Sequence, residues 1–196
     1  MERIGFIGLG LMGHGMAKNL LAKGYPMSLK AHRNRANLAD LLAAGANEAA
    51  GLRDVAQASD IVFICVTGSP QVEAVMHGGL LEGARQGTMI VDCSTAEPDS
   101  TARLREACAA RGVAFVDAPL ARTPKEAEEG RLNTMVGASD ADFARLAPVM
   151  KAFCENVIHV GPPGSGHVLK LISNFLALAI ATSTAEAFAA AAKAGL

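Results

Sequence analysis

The stretch Ile4-Gly5-Phe6-Ile7-Gly8-Leu9-Gly10-Leu11-Met12-Gly13 decides the fold. A short apolar run, Ile4 to Gly8, has the length and composition of a buried strand. It ends in the glycine spacing GxGxxG, and a helical pattern follows from Leu11 to Lys23, stopped by Gly24. The order is strand, glycine-rich turn, helix.

Working outward, the same alternation continues. Strands are expected at Met27 to His32, Asp60 to Val66, Thr88 to Asp92, Val113 to Asp117, Leu132 to Val136 and Asn156 to Val160. Helices are expected at Asn37 to Ala44, Thr101 to Arg111 and Asp140 to Phe153. Asp60 to Val66 is apolar after its first residue, as in strands whose two faces are both covered. Strands alternating with helices over short connections give the α/β class: a Rossmann-like, doubly wound, mostly parallel sheet.

The end of the chain differs. After Gly161-Pro162-Pro163-Gly164, one helical pattern runs from about Ser165 to Ala194 without a breaker. At 1.5 Å per residue it is about 45 Å long, too long to lie across one sheet of this size. Its tail, AEAFAAAAKAGL, is apolar on nearly every side and needs a cover. The expected division is a dinucleotide-binding domain at 1–163 and, at 164–196, a long helix that a second, helical domain or a second subunit should cover. A homodimer or homotetramer through that helix is expected.

Composition narrows the classes. Of 196 residues 51% are hydrophobic and 19% charged, ample for a packed core, and the net charge of −1 offers no field for nucleic acid or anionic membranes. Cys65, Cys93, Cys108 and Cys154 form no CxxC pair and no metal-ligand spacing with the histidines, so reduced core thiols and no metal are expected. The amino terminus lacks the basic start and cleavage site of a signal peptide. The uncharged stretch Leu171 to Ala185 is shorter than the roughly 18 to 20 residues of a membrane span, so a soluble, cytoplasmic protein is expected.

Four constellations carry chemistry. Gly8, Gly10 and Gly13, with Leu9, Leu11 and Met12, form a turn that lets a pyrophosphate approach backbone N–H groups at a helix N-terminus. In Lys30-Ala31-His32-Arg33-Asn34-Arg35 there is no acid to accept a ribose 2′-hydroxyl. Arg33 and Arg35, with Asn34, favour the 2′-phosphate of NADP over NAD, although ordinary solvated loop charges look the same. Val66 and Thr67, closing another strand, are counted with the cofactor contacts. Asp92-Cys93-Ser94-Thr95 ends a central strand, which points the Ser94 and Thr95 hydroxyls into the cleft beyond the sheet, or makes one of them a helix N-cap before Pro98. Finally, Lys170 and Asn174 stand i, i+4 on one helix face and interrupt an apolar surface. A lysine in such surroundings is an acid–base candidate; the plainer alternative is a side chain snorkelling off a helix edge.

Taken together, GLGLMG, DCST followed by Pro98, DAPL at Asp117 to Leu120, GRL…MVGA and GPPGSGHVLKLISN resemble the β-hydroxyacid dehydrogenase family. That family includes 3-hydroxyisobutyrate dehydrogenases and tartronate semialdehyde and glyoxylate reductases. The resemblance spans the whole chain and implies a Rossmann-like domain, a long interdomain helix and an all-helical C-terminal domain that is mostly missing. It implies an NAD(P)-dependent oxidoreductase that interconverts a small hydroxy acid and its aldehyde or ketone. Lys170 is similar to the family's catalytic lysine, Asn174 to its substrate-orienting amide, and Thr95, with Ser94 beside it, to the threonine near nicotinamide and substrate. One segment departs. The usual DAPVSGG becomes DAPLART, so the serine is Ala121 and the glycines are Arg122 and Thr123. This resembles the sulfolactaldehyde reductase branch and implies Arg122, with Thr123, as a grip for a carboxylate or sulfonate. Against this, Arg122 turned outward would pair with Glu126 or Glu128. A non-catalytic dinucleotide-binding or oligomerisation module on the same fold is the rival function.

Overall fold

The computed structural model describes every residue except Arg33, Asn34 and Ala36. The strands are β1 (Ile4–Ile7), β2 (Met27–Lys30), β3 (Asn47–Glu48), β4 (Ile61–Ile64) and β5 (Met89–Asp92). They continue as β6 (Ala114–Asp117), β7 (Leu120–Ala121), β8 (Leu132–Gly137) and β9 (Cys154–Gly161). The helices are α1 (Gly13–Ala22), α2 (Ala39–Ala43), α3 (Leu52–Gln57), α4 (Ser69–Val75), α5 (Leu81–Gly83) and α6 (Pro98–Ala109). After these come α7 (Pro124–Glu128), α8 (Asp140–Met150) and α9 (Ser165–Lys193). A π-helical turn, Met76–Leu80, joins α4 to α5, and Gly79 at φ +114° makes the kink.

The sheet runs β3-β2-β1-β4-β5-β6-β8-β7, with β9 added beside β8. Its first six strands are parallel in the doubly wound order expected of a dinucleotide-binding sheet. Beyond β6 the direction reverses: β8 pairs antiparallel with β6 and β7, and β9 returns parallel to β8. Side chains alternate between two cores. Phe6, Leu29, Phe63, Val91 and Val116 pack on one face, and Ile7, Val62, Ile64, Ile90 and Phe115 on the other.

Register, more than composition, positions the site. Lys30, Ile7, Ile64, Asp92, Asp117 and Gly137 form one row across the sheet at the carboxyl ends of its parallel strands. The glycine turn, Val66-Thr67, Ser94-Thr95 and the segment after Asp117 all start just beyond that row.

The foot of α9 is set on this end of the sheet. Asp117, fully buried, accepts hydrogen bonds from the backbone N–H groups of Gly164 (2.6 Å) and His167 (2.9 Å). A carboxylate there offsets the positive end of the helix dipole. Gly166 makes this approach possible: a Cβ on it would lie 2.5 Å from the Met135 carbonyl oxygen and 2.7 Å from that of Asp117. Beyond His167 the helix leaves the sheet, and Phe175 (75% exposed) and Phe188 (73%) face outward. The expectation that this apolar segment is too short to cross a membrane needs correction. The 29-residue helix reaches a mean hydropathy of 1.6 over 18 residues, which satisfies length and composition for a span. Val168 and Leu169 before Lys170, and Ala187 to Ala192 with Phe188 after Glu186, continue the apolar helix past Leu171 to Ala185 on both sides.

Candidate functional site

The glycine turn has three glycines with three different reasons. Gly8 sits at φ +100°, and a Cβ on it would lie 2.1 Å from the Cys65 carbonyl oxygen. At Gly13 a Cβ would lie 1.9 Å from the Gly8 carbonyl oxygen, so the helix start folds tightly over the strand end. Gly10 has no protein atom within 4 Å of that position. Its missing side chain leaves open space beside the start of α1. That start has no side-chain cap and no acidic residue in its first turn. Free N–H groups and a positive dipole end, next to a bare backbone, are what a pyrophosphate needs. The residues present fit a dinucleotide. Leu9 and Met12 pack partly into the core, and Leu11 is 76% exposed over the turn. The Leu9 carbonyl accepts from Asn37 Nδ2 at 3.2 Å, tying the turn to the loop after β2.

In that loop Arg33 and Asn34 lie outside the described residues. Arg35 is described, and its guanidinium makes a two-bond pair with Glu48 of β3 at 2.7 and 2.8 Å. The acid absent from the β2 end is supplied by the neighbouring strand, too far along the chain for a reading of Lys30 to Arg35 to register.

The loops after β4 and β5 are joined. Val66 N–H donates to Ser94 Oγ at 3.0 Å, and Glu97 N–H donates to Ser69 Oγ at 2.7 Å. Ser94 is buried and tethers the neighbouring loop, so its hydroxyl does not stand in the cleft. Thr95 and Thr67 are exposed there. The capping alternative fails too, because the residue before α6 is Glu97, with no side-chain cap.

From Val168 to Ala190 Lys170 and Asn174 are the half-buried residues, with Leu169 (37% exposed) and Leu171 (36%) close behind them. The first two are the face that α9 turns toward the domain, as the i, i+4 spacing requires. Burial lowers the Lys170 pKa below the usual lysine value. Arg122 occupies a left-handed backbone position, φ +82°. Its guanidinium pairs with Glu155 of β9 and donates to the Arg131 carbonyl oxygen, so its partner is neither Glu126 nor Glu128. Thr123 forms a capping box with Glu126 at the start of α7, which occupies its hydroxyl.

Three polar features were not singled out in the sequence. His14 lies 2.6 Å from Glu128 Oε1 and 2.7 Å from Asp40 Oδ2, clipping α1 to α7 and α2. Burial opposes its charge, but the two carboxylates outweigh this and raise its pKa. Asp117 anchors α9, as described. Buried Asp92 and His167 face each other, with Asp92 Oδ2 and His167 Nε2 3.8 Å apart and without partners. The only signal for them was a histidine and two aspartates inside otherwise apolar segments. Among the described residues no group of three His, Cys, Asp or Glu side chains is placed to hold a metal.

Comparison with known proteins agrees with this geometry. Residues 3–161 match the family model for the NAD-binding domain of 6-phosphogluconate dehydrogenase. This chain belongs to that family, in its β-hydroxyacid dehydrogenase branch. It is 41% identical to 2-(hydroxymethyl)glutarate dehydrogenase of Eubacterium barkeri, over 99% of this chain and 65% of that protein. It is 37% identical to the NAD-dependent L-serine dehydrogenase of Pseudomonas aeruginosa, over 96% of this chain and 64% of the relative. The structure of Mycobacterium tuberculosis 3-hydroxyisobutyrate dehydrogenase with L-serine superposes with a TM-score of 0.92 at 26% identity, covering 100% of this chain and 67% of the other. The chain thus spans about two thirds of the length of the curated relatives it matches. No comparison singles out the sulfolactaldehyde branch.

Proposed function

We propose that the protein is an NAD(P)-dependent oxidoreductase interconverting a small hydroxy acid and its aldehyde or ketone, with Lys170 as the proton donor and acceptor. The bound nicotinamide supplies or accepts the hydride. Lys170 stabilises the developing alkoxide and delivers its proton, and Asn174 orients the same oxygen. Thr95, exposed beyond β5, holds the polar end of the substrate. The observation that carries this reading is the orientation of α9: in its long exposed span, the two polar side chains at i and i+4 are the ones turned to the domain.

Arg122 grips the substrate's carboxylate or sulfonate only if its pair with Glu155 opens. Glu155→Gln is expected to lower KM for the acidic substrate if it does so. NADP remains favoured through Arg33 and Arg35, with Glu48 competing for Arg35. Comparing KM for NADH and NADPH decides the preference. Cytoplasmic localisation, and α9 covered by protein rather than lipid, are parts of the same proposal.

Lys170→Ala tests the centre of it. General acid–base catalysis contributes about 10²- to 10⁴-fold, so turnover is expected to fall by at least about 100-fold while dinucleotide affinity persists. Unchanged turnover would refute the assignment. The rival module, for which the exposed α9 speaks, predicts dinucleotide binding with no turnover before any substitution.

A further inference from the structure

The buried pair Asp92 and His167 faces itself across a gap that one proton fills. His167 Nδ1 lies 2.7 Å from Thr101 Oγ1, and that hydroxyl lies 3.1 Å from the Glu97 carbonyl oxygen. A hydroxyl has one proton to give. If it goes to Glu97, Nδ1 carries the ring proton and a lone pair on Nε2 faces Asp92 Oδ2. If it goes to Nδ1, the ring proton sits on Nε2 and is aimed at Asp92. Asp92 Oδ1 accepts from Ser94 N–H at 2.9 Å. Asp92 Oδ2 and His167 Nε2 stand 3.8 Å apart without other partners, where Asp92 is 1% and His167 0% exposed. Burying unsatisfied groups is costly. In either arrangement one proton between the two atoms satisfies both, as an Nε2–H aimed at the carboxylate or a carboxyl O–H aimed at Nε2. The atoms then close by roughly 0.8 Å to reach an ordinary N···O separation of about 3.0 Å.

We propose that Asp92 and His167 share one proton across β5 and α9, and that this contact is a positioning device for Lys170, three residues further along α9. His167 stands in the first turn of α9, the helix carrying Lys170, and faces the end of β5 that leads into Ser94-Thr95. Its ring is held by α6 on one side and faces β5 on the other. The ionisable groups bearing on the pair are Asp117 from β6, Cys65 just after β4 and Cys93 beside Asp92. From α6 the contact is the uncharged Thr101, while Arg105 one turn on donates to the Pro163 carbonyl oxygen. Burial pushes the Asp92 carboxyl up to about 6, in the direction that retains a proton.

The positioning half of this inference rests on Lys170 being the proton-transfer residue; the shared proton does not. The test begins with ¹⁵N-histidine-labelled protein, the His167 ring being assigned from a His167→Gln variant. Its ring ¹⁵N shifts are expected to stay constant between pH 6 and 8.5. Titration near 6.5, as for a free histidine, would overturn the shared proton. Asp92→Asn keeps the Ser94 contact and offers an amide N–H to Nε2. It is expected to hold turnover within about threefold, whereas His167→Leu lowers kcat at least tenfold with dinucleotide affinity unchanged. Equal losses in Asp92→Asn and His167→Leu, or a loss confined to thermal stability, would overturn the positioning role. If Lys170→Ala leaves turnover intact, the catalytic reading fails and the NMR experiment still decides the proton.

Discussion

Gly10 and Gly13 separate folding from binding within one motif. A Cβ at Gly13 would meet a carbonyl oxygen at 1.9 Å, so Gly13→Ala is expected to destabilise the apo protein by several °C. Gly10 meets nothing, and alanine there reduces the freedom of the unfolded chain, so Gly10→Ala is expected to leave apo stability unchanged or slightly raised. Its methyl group fills the space kept for the pyrophosphate, and dinucleotide affinity should fall at least tenfold by fluorescence titration. Equal loss of stability in both variants would contradict the division. For Lys170, reduction requires the protonated amine. Because burial lowers its pKa, the rate should decline with rising pH below the usual lysine value of 10.5. That decline should vanish from the residual activity of Lys170→Ala. At this scale the glycine turn was legible from its spacing, and so was the shared face of Lys170 and Asn174, whereas the roles proposed for that pair came from the resemblance. Ser94 was misjudged, since a hydroxyl at a strand end says nothing about the neighbouring loop N–H that captures it. Arg122 likewise found Glu155, which is remote in sequence and adjacent only after β9 joins the sheet.

Among the elements, the long strands and helices were legible because each buries a run with a clear period. The pieces not anticipated, β3, β7, α3, α4, α5 and α7, span two to seven residues, too short for periodicity to emerge. They are held by tertiary contacts instead. The clearest is α7, which reaches α1 through His14 and Glu128 and through Gly15, where a Cβ would lie 2.5 Å from the Ala127 carbonyl carbon. Since the His14 pKa is raised in the fold, its two ion pairs contribute stability below its ordinary value of 6.5 and lose it as pH rises through the folded value. His14→Gln is therefore expected to lower the melting temperature at pH 5.5 and to differ little from the parent at pH 9. A deficit that grows with pH would reverse the assignment.

For the whole molecule, the doubly wound, mostly parallel sheet followed from the alternation of strands and helices, whereas the cover of α9 could not be inferred from its own pattern. Ile172 and Leu176 (58 and 59% exposed) continue the apolar surface of Phe175, and this continuity predicts association. The chain is expected to self-associate at micromolar concentration in sedimentation velocity, and Phe175→Glu with Phe188→Glu should shift it toward monomer. Flotation of the parent with anionic or neutral lipid vesicles would instead favour a lipid cover.

The close seating of Gly166 has a mechanical consequence. About 27 residues of rigid helix project beyond that pivot, some 40 Å of lever. A tilt of about 5° at the root would carry the far tip by roughly 3 to 4 Å, but would move Lys170, a single turn from the fulcrum, by only about half an ångström. Whatever grasps the distal end can thus swing widely while the amine near the hinge barely departs from its station.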